Sequence, residues 1–551
     1  MARRLRSERS AELERWGPAA LLALLWGGSS AGGLVAGAHG STLFLDDAYY
    51  YIVISREFLE TGSFSFDGVN PTNGFHPLWC LMLVGLHALI GVDAAPTTVV
   101  FGVVVLERLC IGAALLLIAR AWSRLRAAAP MFAAGLCTLA IFLLLPTVAP
   151  FRLGMECSLV ALLCTGALIA FGERRARALG VWLALLCLAR LDTLVFVIAP
   201  IVAWASLNWC TTWPQRLRLA LPTALAFAAY AAVNLLETGH VMPISGALKS
   251  SFPWPSPKNY YLDELAWTEV EGWGHFLYAV TMTGITVAVV VGSAAMLLAR
   301  RSDARRALVP LVVVAWLLIL NILLFQRWDK ALPRNYLALP GILGAFVLGA
   351  GVWLSAHRHA ATVTASRALL AAAALGVGWS YVRDYSVSSS LRVENDPVWQ
   401  IATYAEEHSE PSTMFATTDS GLLAFWSDRR WINLDGLVND YEYQDVLRDG
   451  RLQQYLREHR VQYLLVTLFS EQPSISRRAE KMYAPGMQPD ASRGTDYAPF
   501  EYRVYSYLHD RYSDPILLGP EQEWYRYPFG KVFGVDAACV IYALDWDGRR
   551  K

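Results

Sequence analysis

The chain has 551 residues, 55% of them hydrophobic and 17% charged, with a mean hydropathy of +0.35. That balance excludes an ordinary soluble globular protein. A net charge of +1 excludes the basic surplus that a nucleic-acid partner requires.

Long apolar stretches recur from Gly17 to about Tyr381. The leading "MARRLRSERSAELERW" is too charged, and the apolar run after it too long, for a cleaved signal peptide, so it predicts a retained first helix. Candidate spans fall at 17–38, 96–119, 130–149, 156–171, 180–191, 193–209, 219–236, 274–299, 307–325, 336–355 and 367–381. The clusters "RRLRSER", "RAWSRLR", "ERRAR", "QRLR", "RRSDARR" and "HRH" occupy alternate connections, so about eleven crossings place all of them in the cytoplasm. The segment 78–91, "LWCLMLVGLHALIG", is short for a span, and a crossing there would invert every later cluster; it reads as re-entrant or interfacial. A kinked hairpin is expected at "ARLDT".

After Tyr381 the pattern changes. Short β-rich runs at Met414–Thr417, Trp431–Leu434 and Tyr463–Val466 alternate with helical periods, which predicts a βαβαβ unit. Residues 470–500 read as an irregular loop, and "ACVIYALDW" as a further strand. The expected architecture is a polytopic α-helical membrane protein, residues 1–381 with a first outer loop at 40–95. An extracytoplasmic α/β domain follows at 382–551. All cysteines except Cys539 lie in or beside apolar runs, without CxxC or Cys/His spacing, so they read as small buried hydrophobes rather than zinc ligands or disulfides.

With this topology the unusual polar residues face one side. They are Asp46, Asp47, Arg56 and His76 in the first outer loop, Glu156, Arg190 with Asp192, Lys249, and the cluster Arg327–Arg334. Acids, arginines and a lysine at one rim suit an anionic, partly lipidic substrate. Each has an unremarkable alternative. Asp46 is equally an N-cap of a 47–60 helix, with Asp47 favouring its dipole. Arg56 beside Glu57 and Glu60 reads as a solvated face, and Glu156 as a first-turn acid. Arg190 and Asp192 can neutralise each other, Lys249 and the Arg327–Arg334 cluster can snorkel, and the tyrosine run fits an interfacial belt. The lone loop histidine His76 is the weakest candidate.

The ordered set "LDDAYYY…FDGVNPTNGFHPLW", "GMECS", "LARLDT", "GHVMPISGALK", "RWDKALPRNYLALP" and "TDSGLLAFWSDRRWINLDGLVND" resembles the landmarks of bacterial GT-C-fold glycosyltransferases. The nearest likeness is to arabinofuranosyltransferases and protein-mannosyltransferase-like enzymes of the cell envelope. The resemblance implies a multi-pass enzyme of the bacterial cytoplasmic membrane. It would have a cytoplasmic N-terminus, a polyprenyl-phosphate sugar donor, and a glycan, lipid or protein acceptor. By this likeness Asp46 matches the catalytic base and Asp47 a second acid. Glu156 matches the acid of a G-(L/M)-E motif, Arg190 and Asp192 an R-P-(E/D) pair, and Lys249 and Arg334 basic motif positions. Leu191 replaces the family proline, and Asn335 separates Arg334 from its aromatic.

One base and direct displacement imply inversion at the anomeric carbon. Some relatives use a metal, for which Asp46, Asp47, His76 and Glu156 would offer oxygen-rich ligands to Mg, Mn or Ca. The competing classes are a transporter and a non-catalytic binder of lipid-linked glycans. Transport predicts charges within the spans and a repeated half, whereas here the charges gather at one face and no repeat is visible.

Overall fold

A computed structural model of the chain describes residues 44–144, 154–255, 273–298, 302–326, 334–356, 396–469, 499–532 and 535–546, with a few isolated earlier positions. The helical part contains α1 (Asp46–Thr61), α2 (Pro77–Ile90), α3 (Pro96–Ala128), α4 (Pro130–Leu144), α5 (Cys157–Gly172) and α6 (Ala176–Ala189). A π-helical turn, Leu194–Ile198, leads into α7 (Ala199–Asn208). Then come α8 (Trp213–Thr238), α9 (Ile244–Lys249), α10 (Trp273–Leu298), α11 (Ser302–Phe325) and α12 (Ala338–Ala356).

Among the described residues, three helices are long and apolar enough to cross a membrane, at Pro96–Ala128, Trp213–Thr238 and Arg305–Phe325. Shorter apolar helices surround them, with α12 packed on α4 and α10, α6 on α8, and α3 on α5. Glycines permit the close crossings. A Cβ on Gly180 would strike backbone carbonyls of α8, and one on Gly292 would strike Val347 of α12. In their described residues the expected spans 96–119 to 336–355 coincide with these helices and the short turns that lead into them, whereas 145–149, residue 299, 17–38, apart from isolated positions, and 367–381 lie outside the described residues. Segment 78–91 is a helix of 14 residues opened by Pro77 at its first position. At "ARLDT", α6 stops at Arg190, whose backbone is extended (φ −154°, ψ 111°), and the helical path resumes in the π turn.

The C-terminal region is an α/β unit built from α13 (Pro397–His408), β1 (Met414–Thr417), α14 (Gly421–Ser427), β2 (Arg430–Asn433), α15 (Tyr441–Arg448), α16 (Leu452–Glu458) and β3 (Tyr463–Phe469). Later strands are β4 (Phe500–Tyr502), β5 (Tyr505–Ser506), β6 (Arg511–Tyr512), β7 (Ile516–Leu518), β8 (Glu523–Val532) and β9 (Val535–Ala543). The main sheet runs β2-β1-β3-β9-β8. Its first three strands are parallel, as the βαβαβ pattern requires, while β9 and β8 add antiparallel. The strand expected in "ACVIYALDW" is β9, and Cys539 is buried in it. Residues 470–498, most of the expected loop, lie outside the described residues.

Candidate functional site

Successive residues of an α-helix point about 100° apart, so the neighbouring acids of "DDAYYY" serve different sides of α1. Asp46 and Tyr50, one turn apart, face the α/β unit. The Asp46 carboxylate accepts the backbone N–H of Leu422 through Oδ1 (2.7 Å) and that of Gly421 through Oδ2 (3.1 Å). The Tyr50 hydroxyl accepts the N–H of Ser420 (3.2 Å) and the Nδ2 donor of Asn433 (2.9 Å). Asp46 therefore caps α14, a helix from the far end of the chain, and not its own helix, which is one of the two readings the sequence offers. The N-cap position of α1 belongs to Leu45, which makes no side-chain cap.

A wider junction surrounds this point. Tyr49 packs against Phe425 at 5.1 Å between ring centres, and Arg56 pairs with Asp428 at 3.0 Å on the rim. Arg56 is thus a junction residue, apart from the polar cluster described next. Asn70 donates to the Tyr455 hydroxyl (2.8 Å), and Thr72 to the carbonyl of Asn439 (3.0 Å). On the opposite side His240 stacks on Tyr441 at 3.9 Å, and the Tyr441 hydroxyl donates to the carbonyl of Met242.

Asp47 and Tyr51 face a second polar cluster. Lys249, the last residue of α9, places its ammonium 2.8 Å from Asp47 Oδ2. The start of α9 is fixed by Asn73, whose Oδ1 accepts the Ile244 N–H at 2.9 Å. Its end is fixed by Ser251, whose N–H donates to the carbonyl of Phe325 at 2.7 Å. The Tyr51 hydroxyl accepts the backbone N–H of His76 (3.4 Å), and the two rings stack.

Below them, Arg190 gives Nη1 to Glu156 Oε1 (3.3 Å) and a two-pronged contact to Asp192 (3.2 and 3.0 Å). Its guanidinium lies 4.8 Å from the centre of the Tyr336 ring. The cluster is graded. Glu156 and Arg190 are 0% and 3% exposed at its floor, while His76, Asp47 and Asp192 are 23%, 25% and 26% exposed at its mouth. The Arg190 fork is held by acids, as mutual neutralisation predicts, and therefore organises the floor. Arg327 lies outside the described residues. Arg334 opens a short 3₁₀ turn, Arg334–Leu337, and its side chain is likewise outside them.

Sequence reading misses the scaffold under Glu156. Buried Glu107, inside the long apolar helix α3, accepts the Gly154 N–H at 2.9 Å, and the Trp79 indole donates to the Gly154 carbonyl at 3.1 Å. Gly154 has φ +74°, and a Cβ there would strike Phe44 and Ala48. The signal is present in "LERLC", an acid within a span.

Burial is the main cause that raises the Asp46 carboxyl to about 7, with the charge of Asp419 next and the two capping amides opposing. Asp435 is raised to about 7 by burial and the same Asp419. The folded junction thus retains protons that separated parts release. Its stability is full below the ordinary carboxylate range and is lost as pH rises through about 7. We expect the unfolding midpoint to fall between about pH 5 and 8, and Asp435→Asn to flatten that dependence. A wild-type midpoint independent of pH over this range would refute the raised proton affinity of these two acids.

Burial lowers the His76 value despite Glu156 nearby, so the ring is neutral at pH 7. Burial also acts to lower Lys249, but Asp47 and Tyr336 outweigh it and hold the ammonium charged.

The four residues considered as metal ligands do not gather. Asp46 faces α14, Asp47 faces Lys249, and only His76 and Glu156 adjoin. Among the described residues no three His, Cys, Asp or Glu side chains are grouped to hold a metal ion.

Residues 385–514 match a family described as a domain of unknown function (DUF8728). No curated protein matches the sequence. Among solved structures, ArnT from Cupriavidus metallidurans bound to undecaprenyl phosphate is 11% identical, with a TM-score of 0.49 over 95% of this chain and 97% of that one. Its apo form is 14% identical, with a TM-score of 0.47 over 86% and 97%. The Archaeoglobus fulgidus oligosaccharyltransferase, in complex with Zn and sulfate, is 11% identical, with a TM-score of 0.48 over 90% and 73%. At these identities and scores the likeness assigns no residue a role.

Proposed function

We propose that the chain is an integral membrane glycosyltransferase. It moves a sugar from a polyprenyl-phosphate donor to an acceptor hydroxyl at the outer face of the bacterial cytoplasmic membrane. In this reading residues 1–381 form the GT-C-like catalytic domain, and residues 382–551 form an extracytoplasmic domain that closes over it.

The observation that carries the reading is the Asp47–Lys249 pair, a carboxylate and a cation 2.8 Å apart at the open end of a polar cluster. Its support in the sequence is the ordered set of motifs. Asp47 removes the proton as the acceptor oxygen bonds to the anomeric carbon on the face opposite the phosphate. The bond from that carbon to the phosphate oxygen breaks, its electron pair leaves with the phosphate, and the configuration inverts. Lys249 stabilises the departing charge, a role that the sequence motifs also offer to Arg327 and Arg334. Arg190, held by Glu156 and Asp192, keeps the floor of the site in shape.

The base is assigned to Asp47 rather than Asp46 because both Asp46 oxygens are already held by backbone amides. The test is mass spectrometry of lipids that co-purify with wild type and with Asp47→Asn, whose amide cannot accept the proton. Enrichment of a glycosylated polyprenyl phosphate in the variant is the expected result and reports the sugar by mass. Absence of any polyprenyl phosphate from both proteins would refute the reading.

A further inference from the structure

Two atoms of the cluster have no part in the reaction as written. Glu156 is fully buried, Arg190 holds its Oε1, and its Oε2 receives no hydrogen bond. His76 Nδ1 is likewise buried and unpartnered. A buried carboxylate oxygen without a donor is rare in a native protein, because it has lost water and gained nothing in return. Two such atoms on neighbouring side chains, under a mouth formed by Asp47 and His76, mark a place that a ligand completes.

Their chemistry restricts that ligand. An ionised carboxylate only accepts hydrogen bonds. His76 Nε2 lies 3.8 Å from Glu156 Oε1, so the carboxylate favours the ring proton on Nε2 and leaves Nδ1 as an acceptor. Both open positions therefore require donors. A phosphate supplies none when ionised, and Glu156 would repel it. Sugar hydroxyls are neutral and donate.

We propose that Glu156 and His76 form the subsite that holds hydroxyl groups of the transferred sugar, with the phosphate placed higher, toward Lys249. This rests on the transferase reading above. Arg190 then acts as a positioning residue. Asp192 fixes its fork from one side, so that Nη1 reaches Glu156 Oε1 and Oε2 stays without a donor. Glu107 and Trp79, which hold Gly154, set the height of Glu156 in the site.

The test uses the full chain carrying Asp47→Asn, alone and combined with Glu156→Gln or with His76→Ala, and compares co-purified lipids by mass. Glu156→Gln retains an oxygen for Arg190 but replaces the open acceptor by a donor. The expected result is a fall of at least about tenfold in the ratio of glycosylated to bare polyprenyl phosphate, with the bare lipid retained. His76→Ala should lower the same ratio in the same direction. It keeps the test decisive if Glu156→Gln does not fold. An unchanged ratio overturns the proposal. So does equal loss of both lipids from a folded variant, which would assign the pair to the phosphate or to a structural water. If Asp47→Asn alone carries neither lipid, the transferase reading itself falls, and this inference with it.

Discussion

Gly421→Val will detach the α/β unit from the helical part and lower the thermal unfolding midpoint. A Cβ at Gly421 would fall on the backbone carbonyl of Asp46 and within 3.1 Å of the Tyr50 ring. Neither can yield: Asp46 is held in α1, and Tyr50 is fixed by the Ser420 N–H and Asn433. Moving α14 away breaks both amide bonds to Asp46 and opens the Tyr49–Phe425 contact. Overpacking and lost charge-assisted bonds together should destabilise the junction by about 3 kcal/mol or more. Calorimetry should show an early separate transition, and limited proteolysis should cut between the two parts. Melting and cleavage patterns identical to wild type would show that the junction does not bind the parts together.

The second large effect separates the two acids. Asp47→Asn should reduce transfer by about 10²–10⁴-fold, the usual contribution of a positioned general base, with the unfolding midpoint lowered only as far as Lys249 suffers from losing its counter-charge. Asp46→Asn should do the reverse. The new amide can accept only one of the two α14 N–H groups, so stability should fall by about 1–2 kcal/mol, with a smaller loss of rate. The raised proton affinity of Asp46 comes from its burial first and the charge of Asp419 second, while the capping amides oppose it. A profile in which Asp46→Asn is inactive and stable while Asp47→Asn remains active would return the base to Asp46.

Much of this is legible in the sequence, because apolar length and β-rich alternation are local signals. The apolar helices between Pro96 and Ala356 and the strands β1, β2, β3 and β9 follow from them, whereas the short α9 that carries Lys249 falls in a stretch that reads as an outer loop. Strand β8 does not follow either, since "EWYRYPFGKV" is interrupted by a proline and a glycine and lies at the sheet edge, where a missing N–H is tolerated. The helical period separates Asp46 from Asp47, but nothing local says that Gly421 will arrive opposite one and Lys249 opposite the other. Those pairings join segments hundreds of residues apart and depend on how the α/β unit settles. Charge marks both Asp47 and Lys249 in the sequence, whereas nothing there marks them as partners.

The adjacency of Asp46 and Asp47 makes this stretch of chain intolerant of changes in length. Inserting or deleting one residue between Leu45 and the tyrosines would rotate every later side chain by about 100°. One acid would then leave α14 or the other would leave Lys249. Substitutions on the exposed part of α1 can drift freely, but its residue count cannot. Among relatives that share this junction, insertions and deletions should therefore collect after Thr61, where the helix has ended.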